Sequence, residues 1–198
     1  MRTPSTPSLE PKERILEAAI ALMRRSGFSG VGINEILAES GAPKGSMYHY
    51  FPQGKRQIVS EALAIYSRRI LDTFDRNLAK GNTPGQKINA LFDGLVQRLE
   101  SGAYRHSCLA GTVALDLDDT LEGIRVAIAG AFADWVKVIA KHFGSMDARR
   151  SKSFAGLVLS VIEGAYIRGR AERSSKPFRE AATWLAEVAE SEAAPTAR

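Results

Sequence analysis

A chain of 198 residues has room for one large domain or two small ones sharing a junction. Its hydrophobic share of 44% and charged share of 25% suit a buried core, which excludes wholesale disorder and fibrous repeats, and its net charge of +5 is mild. One cysteine rules out an internal disulfide and a four-cysteine zinc site, no apolar stretch approaches the ~20 residues of a membrane span, and residues 1–12 lack the apolar core of a secretory signal; the expectation is a cytoplasmic protein.

Residues 1–8, with two prolines and four Ser or Thr, read as a disordered arm, and residues 191–198 read as a flexible tail. Between them, apolar residues recur with the 3.6 period and no useful stretch alternates, so the fold class is all-α. The first helix is expected over about 11–26, its stripe formed by Ile15, Ala19, Leu22 and Met23, and Gly27 stops it. A short helix over 33–40 follows, with Glu35 in its first turn where the dipole favours an anion, and Gly41 ends it. Pro43 opens a third helix from Lys44 to about Phe51. Two short helices joined by a tight glycine turn make a helix-turn-helix. Pro52, Gln53 and Gly54 break the chain before a long helix over about 55–79. Further helices are expected at about 85–101, 108–117, 120–143, 148–171 and 177–190, roughly nine in all. The last two are apolar over so wide an arc that Phe154, Leu157, Val161, Phe178 and Leu185 are expected at a dimer interface, pairing with a second copy as a four-helix bundle.

Charge and shape converge on the third helix. Residues 1–70 carry ten Lys or Arg against six Asp or Glu, whereas residues 71–198 carry seventeen against sixteen. Within the basic third, Gly41 to Ser60 holds Lys44, Lys55 and Arg56 with no acid. Met47, Tyr50 and Phe51 share one face and can anchor the third helix on the first, which turns Lys44, Gly45, Ser46, Tyr48 and His49 outward. A cation, a glycine permitting close approach, a hydroxyl, a phenol and an imidazole are suited to phosphates and base edges in a major groove.

The run Ile15 to Phe51, above all Gly41-Ala42-Pro43-Lys44-Gly45-Ser46-Met47-Tyr48-His49-Tyr50-Phe51, resembles the DNA-binding domain of TetR-family transcriptional regulators. The resemblance covers about the first third of the chain. It implies a homodimer: an N-terminal helix-turn-helix domain over 9–54 that binds double-stranded DNA, then over 55–190 a connecting helix and a helical domain that takes a small-molecule effector and dimerises through its last two helices. Candidate DNA contacts are Gly32, Asn34, Lys44, Gly45, Ser46, Met47, Tyr48, His49 and Lys55, with Lys44, Ser46, Tyr48 and Lys55 on phosphates and Gly45, Met47 and His49 near bases. Two departures stand out. Gly32 occupies a position where many members carry a capping Thr or Ser, and Phe51-Pro52-Gln53-Gly54-Lys55 has one residue more than the common spacing. That extra residue, with Ser107-Cys108-Leu109-Ala110-Gly111-Thr112-Val113-Ala114-Leu115, is similar to the LmrA/YxaF-like subgroup.

The effector pocket implied by the resemblance is expected to be largely apolar, lined by Phe74, Phe92, Leu95, Cys108, Trp135 and Ile139, with His106, Glu163 and Tyr166 to orient the ligand. Asp116, Asp118 and Asp119 are better read as helix-capping acids, Asp119 with Glu122, than as a metal site. His106 and Cys108 are too few for zinc, and Cys108 is expected to be buried and inert. Gly156, Ser160 and Gly164, four apart, permit close helix contact. No metal, cofactor or enzymatic constellation is expected. The reading is a repressor released from a palindromic operator by a small apolar molecule; the alternatives are a DNA-binding regulator without a ligand, and an all-α enzyme or carrier.

Overall fold

The computed structural model describes residues 9–193, all helical or loop, with no strand among them. The expected arm 1–8 lies outside the described residues, as do 194–198. Helix α1 (Pro11–Ser26) starts on a proline at its first turn and ends at Gly27; α2 (Ile33–Ser40) and α3 (Lys44–Tyr50) form the helix-turn-helix. Ser40 Oγ donates to the Leu37 carbonyl and accepts from Ala42 N–H, which shapes the turn between them. Helix α4 (Lys55–Leu78) is the long connector, followed by α5 (Pro84–Ser101), α6 (Leu109–Ala114), α7 (Glu122–Lys141), α8 (Ala148–Glu172) and α9 (Lys176–Ala193).

Three boundaries differ from expectation. Helix α6 is shorter, because Asp116 leaves the helix to bind another segment. The helix expected from residue 120 is preceded by a 3-10 turn, Asp119–Leu121, and Asp118 rather than Asp119 caps it through Thr120 N–H at 2.8 Å. Glu122 pairs instead with Arg125. Helix α9 continues to Ala193, three residues into the expected tail, and Arg150 pairs there with Glu192.

One hydrophobic core runs from Ile15 to Ala189. In the N-terminal unit, Met47 and Phe51 are fully buried and α3 packs on α1, which fixes α3 by its apolar face. In the C-terminal helices, Trp135 on α7 meets Tyr66 and Phe74 on α4 edge-on, and its Nε1 donates to Ser67 Oγ at 3.1 Å. Phe178 on α9 meets Phe92 on α5 and Tyr166 on α8. These contacts correct two expectations. The interior built around Phe74, Phe92, Leu95, Trp135, Ile139 and Tyr166 is filled by those side chains packing on one another, so they form core rather than a pocket. Phe154, Phe178 and Leu185 are likewise buried within the chain, so the face of these helices left open is carried by other residues.

Candidate nucleic-acid interface and effector cleft

Helix α3 exposes what remains once Met47 and Phe51 have anchored it. Lys44, Gly45, Tyr48 and His49 are exposed and Ser46 is half-buried; Tyr48 is 70% exposed, unusual for an aromatic with no structural task. His49 stacks edge-on with Tyr50, which limits its ring orientations. A Cβ on Gly45 would meet nothing within 4 Å, so the backbone there is open to close approach. Gly32 and Asn34 are also exposed, and Gly32 starts α2 without a side-chain cap. Arg14 of α1 donates to the Gly41 carbonyl, tying α1 to the turn that sets the α2–α3 angle.

Two expected DNA contacts are placed elsewhere. Met47 has no exposed surface, so it anchors α3 and cannot reach a base. Lys55 turns inward: its Nζ donates to the Phe28 carbonyl and lies 4.1 Å from the centroid of the Phe28 ring. Burial lowers its pKa, with Asp116 opposing that shift. An ammonium held this way fastens the α1–α2 turn instead of waiting for a phosphate.

That turn is held from the other side by α6 and the chain just beyond it. Asp116 accepts from Ser29 N–H at 3.0 Å, and Gly27 comes so close that a Cβ on it would fall 2.3 Å from Asp116 Oδ2. Gly27 also has φ 73° and ψ −172°, a conformation open essentially to glycine alone. Before α6, Ser107 N–H donates to the Arg24 carbonyl at 3.0 Å while Arg24 Nε donates to the Ser107 carbonyl at 2.8 Å. Sequence reading missed this double fastening, because nothing in the spacing of Arg24, Ser29, Ser107 and Asp116 relates segments more than 80 residues apart.

The opposite side of α6 borders a cleft of about 620 Å³, walled by Gly111, Thr112 and Leu115, by Phe132 of α7, and by Glu163 and Ile167 of α8. Of the expected pocket residues, only Glu163 lines it directly. Cys108 lies beside Glu163; burial, then the Glu163 charge, hold its thiol well above its usual pKa and so unreactive. His106 lies apart from the cleft, half-buried in the loop after α5. Gly111 makes room for the carboxylate, since a Cβ there would fall 2.2 Å from Glu163 Oε2.

Burial pushes the Glu163 pKa up to about 7, against a small opposing pull from Cys108. Because the folded value lies above the ordinary 4.5, the associated stability is fully present below about pH 4.5 and is lost as pH rises through about 7. Glu163→Gln is therefore expected to flatten that pH dependence and to exceed the wild type at pH 8 by about 1–3 kcal/mol, solvent in the cleft setting the lower figure. Denaturant midpoints at pH 5 and pH 8 measure it; equal pH slopes in both proteins would place the carboxylate in water.

The unpartnered apolar surface lies on the last two helices. Leu157 and Val161 of α8 share a face with Gly156, Ser160 and Gly164, and across a shallow groove from them stand Ala181 and Trp184 of α9. Trp184 is 71% exposed and Val188, one turn on, is partly so. Added Cβ atoms on Gly156 and Gly164 would meet nothing, and Ser160 is exposed, its Oγ donating to the Gly156 carbonyl of its own helix. Among the described residues, no helix is long and apolar enough to cross a membrane.

Comparison with known proteins agrees with this architecture. The sequence model for bacterial regulatory proteins of the tetR family matches residues 15–62, and that for the C-terminal domain of LmrA/YxaF-like transcriptional regulators matches residues 84–184. An HTH-type transcriptional regulator of Mycobacterium tuberculosis is 31% identical over 175 residues, covering 85% of this chain and 88% of its own. The HTH-type transcriptional regulator LmrA of Bacillus subtilis is 28% identical over 171 residues, covering 85% and 91%. Among solved structures, the TetR-family regulator CifR in complex with a 26-base-pair operator superposes with a TM-score of 0.78 over 92% of this chain and 98% of its own, at 16% identity. A helix-turn-helix with an outward recognition face, C-terminal helices matched by a family model over half the chain, and relatives that are all transcription regulators leave one assignment: the chain belongs to the TetR family of DNA-binding transcriptional regulators, in its LmrA/YxaF-like branch.

Proposed function

We propose that the protein is a homodimeric repressor, released from a two-fold-related operator when a small, largely apolar molecule enters the cleft beside α6. In this reading residues 9–54 bind DNA and residues 55–190 connect, sense and dimerise. Lys44, Ser46 and Tyr48 contact phosphates, Gly45 and His49 meet base edges, and Gly32 and Asn34 approach the backbone at the start of α2. The observation that carries the proposal is the double engagement of α6. One side of it walls the cleft, and the segments at its two ends grip the last turn of α1 through Ser107 and the α1–α2 turn through Asp116.

The mechanism follows from that placement. A ligand wedged between Gly111, Phe132 and Ile167 displaces α6, and the Asp116–Ser29 and Ser107–Arg24 bonds carry the displacement to α1. Since α1 holds the helix-turn-helix through Arg14, the two recognition helices of a dimer lose their matched separation. Release needs only a differential affinity, and a hundredfold preference of ligand for the displaced form corresponds to about 2.7 kcal/mol of coupling. The cleft has apolar walls, with Glu163, Thr112 and Arg170 available to orient one or two polar atoms.

The test separates binding from transmission. Genomic DNA that co-purifies with the protein supplies the operator, and a panel of aromatic, largely apolar compounds supplies the effector, recognised by a rise in melting temperature and loss of DNA binding. Asp116→Ala is expected to keep the thermal shift while losing most of the release. If no compound shifts either observable, the protein regulates without a small ligand; if Asp116→Ala releases normally, the path through α6 is wrong.

A further inference from the structure

A second cleft, of about 650 Å³, lies where the N-terminal unit meets the C-terminal helices, and four arginines wall it: Arg25 at the end of α1, Arg105 in the loop after α5, and Arg170 and Arg173 at the end of α8. None of the four forms an ion pair among the described residues. The acids on neighbouring elements are engaged elsewhere: Glu100 with Ser175 and Arg179, Glu172 with Arg168, Asp116 with Ser29. Arg170 is held in place by donating to the Arg25 carbonyl at 2.9 Å.

The backbone supplies an independent observation. Ala103, Tyr104 and Arg173, with φ of 49°, 59° and 47°, are the non-glycine residues with positive φ among those described, and all three wall this one cleft. Left-handed backbone is costly at side-chain-bearing residues; here it closes two helices, with Ser174 N–H donating to the Gly169 carbonyl beyond Arg173 and Tyr104 N–H to the Leu99 carbonyl after α5. Here the unfavourable turns bring Arg105 and Arg173 beside Arg25 and Arg170. The crowding is also felt by His106 nearby: burial first, then Arg24, Arg25, Arg105 and Arg170, hold its pKa below the usual imidazole value.

Guanidinium forks packed together without carboxylates match the geometry of phosphate oxygens. We propose that this junction cleft binds a small molecule through a di- or triphosphate group, distinct from the apolar effector of the α6 cleft. Its occupant bridges α1 and α8, the two bodies whose relative position sets DNA affinity. Operator phosphates are a poorer fit. Lys12, which lies over Phe51 at the end of α3, is thirteen residues before Arg25 on α1, so the cleft sits about 20 Å along that helix from the recognition element.

The experiment compares the full-length wild type with Arg105→Gln/Arg173→Gly, in which glycine keeps the left-handed backbone at 173 and Arg170, which borders both clefts, is untouched. Pyrophosphate and ADP are titrated calorimetrically at constant ionic strength, and the three histidine rings are followed by NMR. Expected are binding to the wild type, at least an about tenfold loss in the variant, and an upward shift of the His106 pKa with pyrophosphate while His49 and His142 stay unmoved. Binding of ADP and pyrophosphate alike assigns the site to the phosphates; binding of ADP alone assigns it to a nucleotide. Equal binding by both proteins, or a wild-type His106 unmoved by either anion, overturns the proposal, and the His106 readout holds even if the variant fails to fold. It is equally overturned if the variant loses operator affinity with a shallower salt dependence while pyrophosphate does not bind. Release by apolar compounds is not expected to change in the variant, so failure here leaves the α6 reading intact.

Discussion

Trp184→Asp is expected to yield a folded monomer that has lost most of its DNA affinity. Trp184 is 71% exposed, and in the proposed dimer the second copy covers it. Burying its ring in an isologous seam contributes on the order of 3 kcal/mol per copy, and the two-fold axis counts it twice, so the substitution weakens dimerisation by about four orders of magnitude. Nothing inside the chain depends on that ring, so far-UV circular dichroism and the melting transition of the monomer remain cooperative. DNA affinity falls because one recognition helix reaches only a half-site. The neighbouring position behaves in the opposite way. Leu185 is only 5% exposed, and Leu185→Asp places an unpaired carboxylate against the chain's own core, which is expected to unfold it rather than dissociate it. Light scattering and circular dichroism on the two variants distinguish the outcomes. A Trp184→Asp protein that stays dimeric at micromolar concentration places the interface elsewhere.

The second large effect is expected at the recognition helix. Tyr48→Ala combined with His49→Ala removes two exposed rings that support no packing beyond the His49–Tyr50 contact, so stability should change by less than about 0.5 kcal/mol. Each contact with phosphate or base contributes about 1–3 kcal/mol, and the double variant should bind its operator at least a hundredfold more weakly. Lys44→Ala should weaken binding on all sequences alike and reduce the salt slope by about one unit. Met47→Ala should instead cost about 2–5 kcal/mol of stability, because Met47 is wholly enclosed. Fluorescence anisotropy on operator and unrelated DNA, repeated across a salt series, resolves these effects. Unchanged affinity in the Tyr48/His49 double variant would show that α3 does not enter the groove.

The local rules of the chain were enough for its helices. Glycines and prolines at residues 27, 41, 43, 52, 54 and 84 interrupt the 3.6 period at the turns from α1 to α5, and the outward set on α3 follows from which of its residues are apolar. Those signals are short-range, so a single sequence carries them in full. Three matters were decided only by tertiary structure. Lys55 has the look of a phosphate donor, yet Phe28 sits within its reach and takes the ammonium. Phe178 and Leu185 fall on the same helix as Trp184, and hydrophobicity alone cannot tell which side meets the chain's own core and which is left for another copy. Likewise Phe74, Phe92 and Trp135 have the composition of a pocket lining but close on one another, while the open cleft forms beside α6, where Gly111 lets Glu163 approach. Cores and pockets draw on the same residue types; the difference lies in whether packing fills the space between helices, and that depends on contacts between segments far apart in the chain.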